Sequence, residues 1–260
     1  METYALITGA SSGIGFEMAH LLAKNGRNVI LIARQKEALD KLSEVLNNLY
    51  HIKALSYPCD LTKPNACVML YHDLVEVLGL KIDFLVNNAG IAFSGNFLAT
   101  PLSKHRQLLA LNINAVCELS FLFGNHMKHQ RQGHILNIAS CAGMLAGPEL
   151  NLYYASKNFV LAFSQALSLE LKAHNVFVTA LCPGPVATNF AKNAALTISK
   201  MFTRLPVLDA KTVALAGYQA AMQKKSLKYC GSLAKGVNLG SRIFSRKFMA
   251  KLAYHINKKH

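Results

Sequence analysis

The chain has 260 residues, 52% of them hydrophobic, with 28 Lys+Arg against 13 Asp+Glu and a formal charge of +15. The length suits one large α/β domain or two small ones, and the apolar share excludes a disordered chain. The charge is uneven: residues 210–260 hold eleven Lys+Arg and no carboxylate, so the strongly basic part is the C-terminal end.

In chain order, "ALIT" (5–8) is a short β-type run broken by glycine. "FEMAHLLAKNG" (16–26) has helical spacing through Met18, Leu21 and Leu22, with Gly26 as a stop. "NVILIA" (28–33) is a continuous apolar run of strand length. "KEALDKLSEVLNNL" (36–49) is helical again, with Leu39, Leu42, Val45, Leu46 and Leu49 on one side. Residues 53–58 read as strand, 64–79 as helix and 83–88 as strand. A long helical region covers 102–130, followed by strand at 133–140, a long helix at 151–174 and strand at 176–182. Alternation of helices with fully apolar strands predicts a parallel sheet covered on both faces. With no linker or repeat, residues 1–260 read as a single doubly wound α/β domain. Residues 185–206 are less regular and are expected to lie over the carboxyl edge of the sheet as a substrate-side lid.

No apolar run reaches the ~18 residues that cross a bilayer, so no transmembrane helix is expected. "METYALITGA" has no basic segment before its apolar stretch, so no secretory signal is expected. The six cysteines form no C-x-x-C pair and read as reduced, mostly buried thiols of a cytoplasmic protein. His126 and His129 lie three apart on a predicted helix. Without Cys or carboxylate at ligand spacing they read as a solvated helix face, and no metal site is expected.

"TGASSGIG" (8–15) follows the first strand and opens the first helix. Gly9, Gly13 and Gly15 permit a tight turn and close backbone approach, and the helix N-terminus offers free N–H groups to a pyrophosphate. The second strand ends "IAR". A carboxylate there would bind the ribose 2′-OH of NAD. Ala33 is neutral and Arg34 is cationic, which suits the 2′-phosphate of NADP, with Ser11 and Ser12 as added hydroxyl donors. NADP(H) is therefore expected over NAD(H).

"NLYYASKNF" (151–159) places two tyrosines side by side, and on the residues alone either could be chemical or merely packed. Between residues 5 and 188 the chain resembles the short-chain dehydrogenase/reductase family, and beyond 188 the resemblance is only general. Its motifs run in order from residue 5 to 188: the glycine loop, "CDLT" (59–62), "NNAG" (87–90), "LNINAV" (111–116), "NIAS" (137–140), "YYASK" (153–157) and "PGPVAT" (183–188). The resemblance implies a Rossmann-type fold and a catalytic set of Asn112, Ser140, Tyr153 and Lys157. It selects Tyr153, four residues before Lys157 and on the same helix face, and leaves Tyr154 to packing. It implies cofactor contacts at Gly9, Ser11, Ser12, Gly13, Ile14, Gly15, Arg34, Asp60, Leu61, Asn87, Ala89, Gly90, Tyr153, Lys157, Pro183, Gly184, Val186 and Thr188. Lys157 is expected to lower the Tyr153 pKa by favouring the phenolate, and Asn112 to hold a water beside Lys157.

The segments 141–151 and 190–202 would border the substrate. Met144, Leu145, Pro148, Phe190, Leu196, Ile198, Met201 and Phe202 make them apolar. They imply a hydrophobic carbonyl or alcohol, such as a ketone, acyl or steroid-like compound, unless they simply pack on the domain. Cys141 reads as a bland small side chain. The family also implies a homodimer or homotetramer through helices around 102–130 and 151–174. The alternative reading is a non-catalytic nucleotide-sensing or membrane-surface interaction protein on the same fold. No nucleic-acid reader motif occurs, so no nucleic acid is expected.

Residues 240–260 form a basic tail. Within it, 242–256 fit one amphipathic helix, with Phe244, Phe248, Met249, Leu252 and Ile256 on one side. Arg242, Arg246, Lys247 and Lys251 lie on the other. Such a tail either docks its stripe on the protein or a partner subunit, or makes peripheral contact with an anionic membrane.

Overall fold

The computed structural model describes residues 2–190 and 206–257. Its strands are β1 (Thr3–Thr8), β2 (Asn28–Ala33), β3 (Ala54–Pro58), β4 (Lys81–Asn87), β5 (Gly133–Ile138), β6 (Val176–Pro183) and β7 (Leu227–Cys230). They form one seven-stranded sheet in the order β3-β2-β1-β4-β5-β6-β7. Every pairing is parallel. The helices are α1 (Gly13–Lys24), α2 (Lys36–Tyr50), α3 (Ala66–Tyr71), α4 (Leu102–Leu109) and α5 (Ala115–Gln130). After these come α6 (Asn151–Lys172), α7 (Ala210–Met222), α8 (Ser232–Ile243) and α9 (Arg246–Asn257).

The continuous apolar runs follow from burial on both faces. Successive side chains alternate across a strand, so each run feeds two cores. Ala5 and Ile7, Val29 and Leu31, and Phe84 and Val86 pack with Met18 and Leu22 of α1, Leu39 and Leu46 of α2, and Val213 of α7. Tyr4 and Leu6, Ile30 and Ile32, and Ile82 and Leu85 pack on the opposite face with Leu70 of α3 and Leu119, Phe123 and Met127 of α5. Each such side chain contributes about 1.5–3 kcal/mol. In this strand order the chain winds outward from β1 to β3, then returns to the other side of β1 at β4. That reversal opens a crevice at the carboxyl ends of β1 and β4, where such sheets bind ligands.

Several expectations need correction. On α2, Leu39, Leu42 and Leu46 are buried, but Val45 and Leu49 face solvent. The apolar stripe is narrower than its spacing suggested because only one line of residues meets the sheet. The region 102–130 is continuous but not uniformly α-helical, with a π-helical turn at Ala110–Asn114. By length and composition alone Leu102–Gln130 could cross a membrane. Its Leu108, Val116, Leu119, Phe123 and Met127 are instead buried against the domain. His126 is not a solvated residue: its ring accepts a hydrogen bond from Ile82 N–H (3.3 Å) and meets Tyr71 edge-on. His129 is exposed. Among the described residues no group of ligating side chains could hold a metal. Cys67, Cys182 and Cys230 are buried; Cys59, Cys117 and Cys141 are half-buried, and all six are free.

The C-terminal region differs most. β7, α7 and α8 extend the sheet and its cover. Residues 242–256 are not one helix: α8 ends at Ile243, Phe244 is extended, and α9 starts at Arg246. Ser245 opens α9, accepting from Phe248 N–H through its hydroxyl (3.3 Å) and from Met249 N–H through its carbonyl (3.1 Å). The break splits the expected apolar side. Met249 is buried with Ala253 and Asn257, whereas Phe244, Phe248 and Leu252 remain exposed. Most of the expected lid, including Leu196, Ile198, Met201 and Phe202, lies outside the described residues. Its flanks meet at Val186 and Leu208, which form a parallel bridge beside the cleft.

Candidate active site

The turn between β1 and α1 is set by close contact. A Cβ on Gly15 would stand 2.3 Å from the Gly9 carbonyl oxygen, so the loop closes on itself only with glycine there. Gly9 itself has a φ of +65°, in the left-handed region. The loop is tied to the end of β4. Thr8 Oγ1 accepts from Asn88 N–H (2.9 Å) and Ala89 N–H (3.0 Å), and Asn88 Nδ2 donates to Thr8 O (2.9 Å). Ser12 opens α1 without a side-chain cap, leaving the first helical N–H groups available to an anion. Replacing Gly15 by Ala should weaken NADPH binding by at least about tenfold and lower Tm, since either the loop or the helix start must shift. Isothermal titration and a thermal melt would check this.

Ser140 follows β5 and opens a short 3-10 turn (Cys141–Met144). Its hydroxyl accepts from Ala142 N–H at 3.1 Å. The turn sits hard against α6: a Cβ on Gly143 would lie 2.5 Å from the Lys157 carbonyl oxygen, and Asn158 Nδ2 donates to Gly143 O (2.7 Å). The serine is thereby held against the helix that carries Tyr153 and Lys157. Lys157 is 7% exposed, and its Nζ donates to Ile138 O (2.7 Å) at the end of β5. It also lies 5.9 Å from the centre of the Tyr153 ring. The neighbouring tyrosine is turned elsewhere. Tyr154 donates from its hydroxyl to Asn257 Oδ1 (3.2 Å), and its ring fills the space beside Gly147.

Burial dominates the electrostatics. It lowers the Lys157 pKa to about 8. It pushes the Tyr153 hydroxyl well above the usual phenol range, and the opposing pull of the Ser140 hydroxyl does not offset this. The expectation that Lys157 lowers the Tyr153 pKa is therefore not met in the ligand-free chain, because desolvation of both groups favours their neutral forms. Tyr153 holds its proton at neutral pH, as a donor must. Cys141 is pushed up to about 11 by burial, which leaves an unreactive thiol, as its sequence context suggested. Asp60 is raised by burial but lowered more by the Thr62 hydroxyl and N–H and by Arg34 and Lys63, so its net shift is downward.

One cavity of about 430 Å³ joins these parts. Ser11, Ser12, Arg34, Asp60 and Leu61 line it together with Ser140, Tyr153 and Lys157. Ala89, Gly90, Pro183, Gly184, Val186 and Thr188 lie along its walls, with Gly9, Gly13 and Ile14 at the glycine loop. Gly15, Asn87 and Asn112 do not line it. Gly15 closes the loop from behind. Asn87 is buried, donating to Ser120 Oγ (3.1 Å) and Asn137 Oδ1 (2.8 Å). Asn112 clamps Ile91, accepting from its N–H (2.9 Å) and donating to its carbonyl (2.9 Å), and donates to Ser156 Oγ (3.1 Å). Sequence reasoning overlooked Asn88, the tie between loop and strand, although it stands inside the quoted "NNAG". It also missed Gly143 and Asn158, whose roles depend on contact between distant segments. Phe190, Leu150 and Ala92 add apolar surface to the cavity near Tyr153. Met144 and Leu145 do not line it: Met144 packs with Val160 and Leu161, and Leu145 packs behind the wall with Leu150 and Phe190.

Residues 3–198 match the family model described as short chain dehydrogenase. The human "Very-long-chain 3-oxoacyl-CoA reductase" is 35% identical over 218 residues, covering 82% of this chain and 69% of that protein. The human "17-beta-hydroxysteroid dehydrogenase type 3" is 36% identical over 196 residues, covering 74% of this chain but only 62% of that protein. Among solved structures, a short-chain dehydrogenase from Sphingobium yanoikuyae in complex with NADPH superposes with a TM-score of 0.83 at 30% identity, covering 93% of this chain and 94% of the other. A bulky-bulky ketone specific alcohol dehydrogenase from Comamonas testosteroni gives 0.79 at 28% identity, covering 93% and 91%. With its parallel sheet, glycine loop and Ser140, Tyr153 and Lys157 on one cavity, the chain belongs to the short-chain dehydrogenase family of oxidoreductases.

Proposed function

We propose that the chain is an NADP(H)-dependent reductase of hydrophobic carbonyl compounds, of ketone, 3-oxoacyl or steroid-like type. The observation that carries this reading is that Ser140, Tyr153 and Lys157 line the same cavity as the glycine loop and Arg34. The uncapped α1 N-terminus and the glycine-only approach at Gly15 fit a dinucleotide pyrophosphate. When bound, the nicotinamide supplies the hydride. Ser140 hydrogen-bonds the substrate carbonyl oxygen and holds it in place. Tyr153 donates its phenolic proton to that oxygen as negative charge develops. Lys157 would hold the nicotinamide ribose, and its ammonium is the source of the proton that restores the Tyr153 phenol. Asn112 fixes the segment after β4 that walls the cofactor, and a water beside Lys157 continues the proton path.

The apolar lining from Phe93, Leu150, Tyr154 and Phe190 supports a hydrophobic substrate, as do the named activities of the relatives. Six free thiols support a reducing compartment such as the cytoplasm, with peripheral membrane contact through the basic C-terminal segment. Exposed Phe121 on α5 and Leu169 on α6 support assembly into a homodimer or homotetramer through those helices. The deciding experiment follows NADPH absorbance over a panel of 3-oxoacyl thioesters, steroid ketones, bulky aromatic ketones and small polar ketones. Turnover on the hydrophobic members is expected. NADPH binding without turnover on any of them would favour the nucleotide-sensing alternative.

Cofactor preference has its own test. Arg34 is exposed at the rim beside Asp60, with no acid at Ala33. NADPH should bind at least about tenfold more tightly than NADH, the value of one charge-assisted hydrogen bond to the 2′-phosphate. Ala33→Asp should reverse that order. Equal dissociation constants for the two cofactors in the wild-type chain would defeat the argument.

A further inference from the structure

α8 and α9 form a two-faced cover. Inward, Met249 packs on Gly240 of α8. Ala253 joins Ala92, Ala142, Leu150 and Tyr154, the cluster on which Tyr153 and Phe190 also pack. Asn257 ties this helix to the same wall by accepting from the Tyr154 hydroxyl (3.2 Å) and donating to Pro148 O (3.0 Å). The inner face thus belongs to the substrate side of the active site.

The outer face is apolar. Leu239, Ile243, Phe244, Phe248 and Leu252 are between 47% and 66% exposed. Leu239 and Ile243 are four apart on α8, and Phe248 and Leu252 are four apart on α9. The Phe244 and Phe248 rings, 5.1 Å apart, join the two pairs into one patch. Exposed Arg242, Arg246, Lys247 and Lys251 flank it, and the sequence has no carboxylate after Asp209. A second copy of this face would set cations against cations. An apolar patch flanked by cations that form no ion pair among the described residues fits an interface of hydrocarbon bordered by negative headgroups.

We infer that α8 and α9 seat this protein on an anionic lipid surface, with Phe244 and Phe248 entering the headgroup layer and the substrate side of the active site turned toward the bilayer. This rests on the reductase reading only for its purpose, as a route for apolar carbonyl substrates dissolved in lipid. It extends the tail expectation by adding α8 to the surface and by orienting the cavity.

The test is co-sedimentation of the full chain, loaded with NADPH, with vesicles of phosphatidylcholine alone and of phosphatidylcholine with phosphatidylserine, at low and high salt. Binding is expected only to the anionic vesicles and should fall with salt. The triple variant Arg246→Glu/Lys247→Glu/Lys251→Glu should lose roughly 100-fold in partitioning, at about fivefold per cation. Phe244→Ser/Phe248→Ser should lose at least about tenfold. Unchanged NADPH affinity and melting in both variants certify folding. Several outcomes overturn the proposal: no binding by the wild-type chain, equal binding to neutral vesicles, binding unaltered in the triple variant, or a solution dimer that the Phe244→Ser/Phe248→Ser pair dissociates. Selective binding to an acidic protein with none to anionic vesicles also overturns it. Vesicle binding as expected with no NADPH-dependent turnover would defeat the reductase reading alone.

Discussion

Replacing Tyr153 by Phe lowers carbonyl reduction by about 10²–10⁴-fold, the usual contribution of a positioned general acid, while NADPH affinity stays nearly constant. The ring and its packing against Phe190 are retained, and only the transferable proton is lost. Tyr154→Phe keeps most activity, because that hydroxyl is bonded to Asn257 Oδ1 rather than held at the carbonyl site. It lowers stability instead, by about 0.5–1.5 kcal/mol for one hydrogen bond. Single-turnover rates, NADPH titration and thermal melts separate the two. The assignment of Tyr153 fails if the two variants exchange these behaviours.

Lys157→Met abolishes measurable turnover and makes the ligand-free protein more stable at neutral pH. Burial lowers the Lys157 pKa from its ordinary 10.5 to about 8. Between those values the unfolded chain binds more protons at this residue than the folded one. Stability therefore rises with pH across that window, and below about pH 8 the folded state bears the full penalty of a buried ammonium. Its hydrogen bond to Ile138 O returns part of that penalty, so the net gain on substitution is on the order of 1–2 kcal/mol. The advantage of the variant over the wild-type chain should shrink as pH rises from about 8 toward 10.5. Paired melts of the two proteins across that range measure it. A variant less stable than wild type at pH 7, with no trend above pH 8, would show that Lys157 is not strained by burial. In the wild-type enzyme, kcat/KM for reduction should decline as pH rises through about 8, when the ammonium loses its proton.

The core strands were legible because a strand buried on both faces needs a continuous apolar run, and five of the expected segments lie within a residue or two of β2 to β6. The site was legible where chemistry is local. The glycine loop and the Tyr153–Lys157 spacing are short-range patterns, and a helix puts residues four apart on one face. What failed was the prediction of environment. The Lys157 ammonium was expected to draw down the Tyr153 pKa, yet burial moves both groups the other way. The Asn112 carboxamide is bonded to Ile91, a contact across 21 residues that no local pattern announces.

By itself, the sequence determined the alternation of strands and helices, the glycine loop, the Tyr153–Lys157 pair and the basic end of the chain. Each is encoded within a few neighbouring residues. Only the tertiary structure decided which exposed residues share a surface and which buried polar groups meet. Gly143 against the Lys157 carbonyl joins segments 14 residues apart, and Asn257 against Tyr154 joins segments 103 apart. The C-terminal stripe shows the same division. Its spacing announced an amphipathic helix, but Ser245 breaks that helix and the fold then turns Met249 inward and leaves Phe248 outside. Helical periodicity marks residues that share a side of a cylinder. Which part of that side is covered depends on the neighbour it packs against, here the cluster of Ala92, Ala142, Leu150 and Tyr154.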